Sequence, residues 1–179
     1  ENVLLFLMGD EEHVFPVEKI KHSSIKIWVQ NPQMGRHDKY GKLGTGYTPG
    51  IKEFKERMPC PVKHLDSAFL GQITHARRKQ MAELYEDIPN KHFLPTDGFT
   101  KGIDQQDYYE VMATAKSIPC PSGPETVDTF RLFESLELGC VPIADSKTPK
   151  EDMKGFWQWL LGSDSFPVVD EWTQLKGYT

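Results

Sequence analysis

The chain has 179 residues, of which 38% are hydrophobic and 26% charged, the balance of a globular protein long enough to bury a real core. A net charge of −5 argues against nucleic acid or an anionic membrane surface as the main partner, and no apolar run reaches the roughly 18 residues of a membrane span. Its 3 cysteines are an odd number without a CxxC pair, so neither a disulfide framework nor a zinc site is signalled.

Asn2 to Met8 (NVLLFLM) is a short apolar run ending at Gly9, which predicts a buried parallel strand. It is too short and too acidically flanked for a signal peptide. Asp10-Glu11-Glu12-His13 follows at the carboxyl end, where open α/β sheets place ligands. Adjacent acids raise one another's pKa, so a general base could come from here; the plainer alternative is a solvated loop. Ile25 to Val29 is the next strand. Gln30 to Gly50 is rich in Gly and Pro and reads as a long irregular loop, and its Arg36, His37, Lys39, Tyr40 and Lys42 could contact an acceptor, or the stretch could be a mere connection. Ile51 to Met58 is a short helix ended by Pro59-Cys60-Pro61, where a domain boundary is expected.

Ala68-Phe69-Leu70 is a strand entering Gly71, and Thr74 is a candidate N-cap for the helix that follows. Arg77 and Arg78 then fall in the first turn, where cations oppose the helix dipole, and an incoming anion would relieve that conflict. His92 to Leu94 is a strand, and Asp104 caps a helix from Gln105 to Lys116 striped by Tyr108, Val111, Met112 and Ala115.

Ser117 to Asp145 reads SIPCPSGPETVDTFRLFESLELGCVPIAD, a strand, turn, helix and strand. Ser122, Gly123 and Pro124 break the first strand, Asp128 is the expected N-cap of a helix from near Thr129, and Gly139 stops it. At about 100° per residue, Leu132, Phe133, Leu136 and Cys140 share an arc expected to face the sheet, with Arg131 and Glu134 opposite. Those two could be an exposed ion pair, or an anion and hydroxyl site at the carboxyl edge of a sheet. A polar linker from Ser146 to Glu151 precedes a helix from Met153 to Leu161 carrying Phe156, Trp157 and Leu160. Strands alternating with helices predict an α/β fold with a Rossmann-like parallel sheet.

The run CPSG…DTFRLFESLELGCVPI resembles the signature of the exostosin-type glycosyltransferases, and the FxGQxxxxRR pattern from Phe69 to Arg78 resembles the opening of that family's C-terminal lobe. The resemblance implies a two-lobed GT-B arrangement: residues 1–61 a reduced or truncated acceptor-side lobe, 62–150 the nucleotide-sugar-binding lobe, and 151–179 a helical segment packing back on the first lobe. It implies transfer from a nucleotide diphosphate sugar, UDP favoured over GDP, to an acceptor glycan hydroxyl. The sequence holds no DxD motif, so the donor diphosphate is expected to be held without a metal by Arg77, Arg78 and the turn of Ser122, Gly123, Asp128 and Thr129. Arg131 would stabilise the leaving group and Glu134 would bind the ribose hydroxyls. Asp10 or Glu11 is the candidate base. A binding module without transferase activity is the alternative, which a packed sheet before Cys60 facing Glu134 would argue against. An α/β enzyme acting on a phosphorylated metabolite is the third reading. The expected compartment is a microbial cytoplasm, or the Golgi lumen in a eukaryote.

Overall fold

Consecutive parallel strands cannot be joined by tight turns, so the alternation of short apolar runs with amphipathic segments dictates crossover units. The computed structural model describes residues 2–98, 101–163 and 165–178. Its strands are β1 (Val3–Leu7), β2 (Ile25–Gln30), β3 (Gly41–Leu43), β4 (Leu65–Gln72), β5 (Lys91–Thr96), β6 (Ala115–Cys120), β7 (Val141–Asp145) and β8 (Val168–Val169). The helices are α1 (Ile51–Arg57), α2 (Ala76–Tyr85), α3 (Gln105–Ala113), α4 (Phe130–Glu137) and α5 (Phe156–Leu161). Among the described residues these make two all-parallel sheets, a 3-stranded one of order β1-β2-β3 and a 5-stranded one of order β5-β4-β6-β7-β8. The fold is α/β and Rossmann-like.

The central strands of the larger sheet are buried on both faces, as parallel sheets require. Ala68 and Leu70 of β4 point into one core with Ile118, Leu132, Phe156 and Trp157. Phe69, between them, points into the other with Met81, Tyr85, Ile143, Trp172 and Leu175. The small sheet has its own core of Val17, Ile27 and Val29.

Order along the larger sheet reverses between β4 and β6, because the chain leaves β4 toward β5 on one side and then returns to the other. The ladder joining β4 to β6 pairs only Leu65 with Ala115 and Ser67 with Ser117. Beyond Ser67 no further pair forms, while β4 continues beside β5 to Gln72. The two strands therefore part at the carboxyl ends of β4 and β6, and this parting, hereafter the crevice, is the switch point at which doubly wound sheets bind ligands.

Several sequence expectations change. β1 is a parallel strand but not a buried one: it lies at a sheet edge with Val3, Leu4 and Phe6 exposed. Residues 30–50 are not wholly irregular, since they contain β3. Helix α1 contributes Ile51 and Phe54 to the core of the larger sheet, although it precedes the expected boundary at 61. Helix α3 stops at Ala113, not Lys116, because Ala115 already pairs with Leu65. The 151–179 segment packs on the larger sheet rather than crossing to the small one: Phe156, Trp157 and Leu160 join one core, and Trp172 and Leu175 the other. Lys42 of β3, over the Trp159 ring at 4.8 Å, does touch it.

Candidate functional site

The crevice is lined by two arginines from two helices. Arg78 stands in the first turn of α2, where its Nε donates to Ser122 O at 3.2 Å and its Nη1 to Gln72 O at 3.1 Å. It thus bridges the segments that leave β6 and β4. Arg131, in the first turn of α4, donates from Nη2 to Leu70 O at 2.7 Å and lies over the Phe69 ring at 4.5 Å, a cation–π contact. Gly71 permits this approach, since a Cβ there would stand 2.4 Å from Arg131 Nη2. Among the described residues neither guanidinium forms a salt bridge; both spend donors on neutral carbonyls. Burial, and then the charge of Arg131 beside it, push Arg78 down to about 10. Two adjacent, partly desolvated cations without a counter-charge raise the free energy of the unliganded protein, and an anion would lower it.

Buried polar atoms without a partner gather at the same place. They include Arg131 Nε, Ser122 Oγ, Thr129 Oγ1, His75 Nδ1 and Asp128 Oδ1, all on the turn after β6, the start of α4 or the start of α2. Native interiors satisfy nearly all such groups, so an unsatisfied cluster calls for an explanation. His75 is the N-cap residue of α2 in place of the expected Thr74, and its Nε2 lies 3.0 Å from Ser122 O. Burial, with Arg78 nearby, holds its imidazole below the ordinary histidine range.

Arg77 has a different partner from the one its sequence position suggested. It reaches Asp145 through Nε at 3.2 Å and Nη2 at 2.5 Å, and Glu171 through Nη1 at 3.2 Å. Burial works against its charge, but Asp145 and Glu171 together outweigh that and raise its pKa. The conflict with the α2 dipole is thus relieved inside the protein, by a carboxylate. Asp145 also accepts from Trp172 Nε1 at 3.1 Å, Lys147 N at 3.1 Å and Ser122 N at 3.4 Å, so it anchors α2, the turn after β6 and the C-terminal segment together.

Glu134 is 3% exposed, and Leu136, expected to face the sheet, is 44% exposed. The inward face of α4 is therefore rotated from the apolar arc toward Glu134 and Ser135. Rather than pairing with Arg131 on the surface, Glu134 accepts the hydroxyl of Tyr108 at 2.8 Å on one oxygen and that of Thr48 on the other.

Asp128 is not the helix cap. Thr129 holds that position, and Asp128 Oδ2 accepts the Thr45 N–H at 2.9 Å. Burial, with the Glu11 charge adding to it, pushes Asp128 up to about 7 against the Thr45 hydrogen bonds. Gly123 closes the turn, its N–H donating to Thr126 O at 2.8 Å.

The residues after β1 and β2 face this turn across a cleft of about 290 Å³ lined by Glu12, His13, Arg36, Glu125, Lys150 and Glu151. Asp10, a candidate base, caps its own loop: its carboxylate accepts Val14 N at 2.9 Å and Phe15 N at 3.1 Å. Glu11 is exposed. Arg36 is tied to the carbonyls of His13 and Phe15. Among the described residues no three His, Cys, Asp or Glu side chains form a metal-ligand set, and no helix is long and apolar enough to cross a membrane.

Compared with known proteins, the chain matches no family model, and no curated protein matches it.

Proposed function

We propose that the chain binds a nucleotide diphosphate sugar, UDP favoured over GDP, and transfers its glycosyl group to an acceptor glycan hydroxyl. The observation that carries this reading is the uncompensated Arg78–Arg131 pair at the β4/β6 crevice, within a cluster of buried, unpartnered polar atoms. Two guanidinium groups with free donors suit a diphosphate, and they stabilise most strongly the form in which it leaves with its full charge. Glu134, already holding two hydroxyl groups, suits the ribose diol. In this reading Ser122, Gly123 and Thr129 contact the diphosphate through the turn and the helix start, while Arg77 orients α2 through Asp145. The cleft between the sheets takes the acceptor, and catalysis is mostly positioning and leaving-group stabilisation. The GT-B arrangement belongs to the same proposal. The small sheet, packed on its own core with its β3–α1 connection on Glu134, is what an acceptor-side lobe requires.

The binding-module alternative is favoured by one observation: Asp10, a candidate base, is committed to backbone amides. Incubation with UDP- and GDP-sugars plus a panel of glycan acceptors separates the two. Acceptor-dependent release of UDP, with a glycosyl mass added to the acceptor, is the expected result; saturable UDP binding with no release under any acceptor would leave only the module.

A further inference from the structure

Residues 44–50 leave the small sheet after β3 and lie across α4 before α1 begins. The hold on α4 and its surroundings is largely polar. Thr45 N–H donates to Asp128, and Thr45 Oγ1 donates to Asn31 Oδ1 at 2.9 Å. Thr48 Oγ1 donates to Glu134 and lies 2.6 Å from Tyr109 Oη. Gly44 meets the tip of the Phe133 ring, where a Cβ would come within 2.2 Å of Cζ. Of residues 44–50 only Thr45 is buried. Gly46 at φ +76° and Gly50 at φ +97° give the segment left-handed positions within it and at its end, where glycine changes conformation at least cost. A connection with few buried apolar contacts and glycine joints belongs to the low-stability end of a fold.

The two hydroxyl groups on Glu134 sit on separate carboxylate oxygens, Thr48 on Oε1 and Tyr108 on Oε2. A vicinal diol presents hydroxyls to a carboxylate in the same way. Tyr108 belongs to α3 and to the wall of the site, whereas Thr48 belongs to the connection with glycine joints.

We infer that residues 44–50 are a strap whose Thr48 hydroxyl occupies the diol position of Glu134 in the ligand-free protein, and that a nucleoside displaces it on binding. This rests on the nucleotide-sugar reading above. Ligand and strap then compete for one carboxylate oxygen, so the apparent affinity is the intrinsic affinity multiplied by the fraction of molecules with the strap released. Loosening the strap without touching Glu134, Arg78 or Arg131 raises that fraction. Because Thr45 lies on the same connection as Thr48, release also frees its amide from Asp128.

The test uses calorimetric titration with UDP on the wild type and Thr48→Val, which removes the hydroxyl and keeps the shape, together with hydrogen exchange at the Thr45 amide. Thr48→Val is expected to bind UDP at least fivefold more tightly. In the wild type, saturating UDP is expected to speed Thr45 exchange at least tenfold, a readout that decides alone should the variant misfold. Equal or weaker UDP affinity in a folded Thr48→Val, or unchanged Thr45 exchange in a wild type that binds UDP, overturns the strap and leaves the nucleotide site standing. Failure of UDP to bind either protein overturns both.

Discussion

Replacing Asp128 by Asn isolates a large electrostatic cost in the neighbourhood of the site. Asp128 is 3% exposed, accepts Thr45 N–H on one oxygen and leaves the other unpartnered. Its pKa stands at about 7 in the fold against an ordinary 3.8. A carboxyl raised in this way binds its proton more tightly when folded, so stability falls as pH rises from about 4 to about 7 and is level beyond. At about 1.4 kcal/mol per pH unit, ionising Asp128 inside the fold costs about 4 kcal/mol in full. Part of this is already present at pH 5, which leaves about 2 kcal/mol or more to develop between pH 5 and pH 8. His37 and His75, whose pKa values are lowered first of all by burial, act in the opposite sense, losing stability as pH falls. They are present in both proteins and cancel in the comparison. Urea unfolding of the wild type and Asp128→Asn at both pH values is therefore expected to show the wild type losing about 2 kcal/mol or more relative to the variant on going to pH 8, a change of roughly 4–8 °C in Tm. A difference that stays constant with pH would refute the assignment of a buried, reluctantly ionised Asp128.

Asp145→Asn removes the counter-charge of the buried Arg77 and weakens its hold on the turn after β6, and is expected to cost about 3–5 kcal/mol in thermal or urea unfolding. Were Arg77 a surface ligand for phosphate, the same change would be nearly silent. Gly71→Ala places a Cβ 2.4 Å from Arg131 Nη2 and forces the guanidinium aside, so it is expected to weaken UDP binding about tenfold in calorimetry while circular dichroism stays native.

How much could be read from the sequence depended on whether a feature was local. The strand, turn, helix and strand of residues 117–145 announced themselves through Gly and Pro punctuation, and Gly139, at φ +67°, ends α4 as expected. Asp104 caps α3 through Gln106 N–H as its position indicated. Arg78, Arg131 and Glu134 were each visible as residues of interest, but their relations were not. The arginines are 53 positions apart and meet only because β4 and β6 stop pairing after Ser67. Glu134 is buried by Thr48, 86 positions away, so no helical periodicity could place it inside. Arg77 and Arg78 look alike in sequence, and α2 geometry alone sends one to Asp145 and the other to the crevice. Asp145 gave no signal, because a single Asp at a strand end reads as the start of a loop. The two-residue β8 is too short for any periodicity.

The most direct measurement is calorimetric titration of UDP into the wild type and the double variant Arg78→Gln/Arg131→Gln, with unfolding followed in the absence of ligand. Charge-assisted bonds are worth about 1.5–3 kcal/mol each, so the variant is expected to lose UDP affinity by at least a hundredfold. The same variant, relieved of two uncompensated, half-buried charges, is expected to be at least as stable as the wild type when no ligand is present. UDP bound equally well by both proteins, or by neither while both are folded, would contradict a diphosphate site at the β4/β6 crevice.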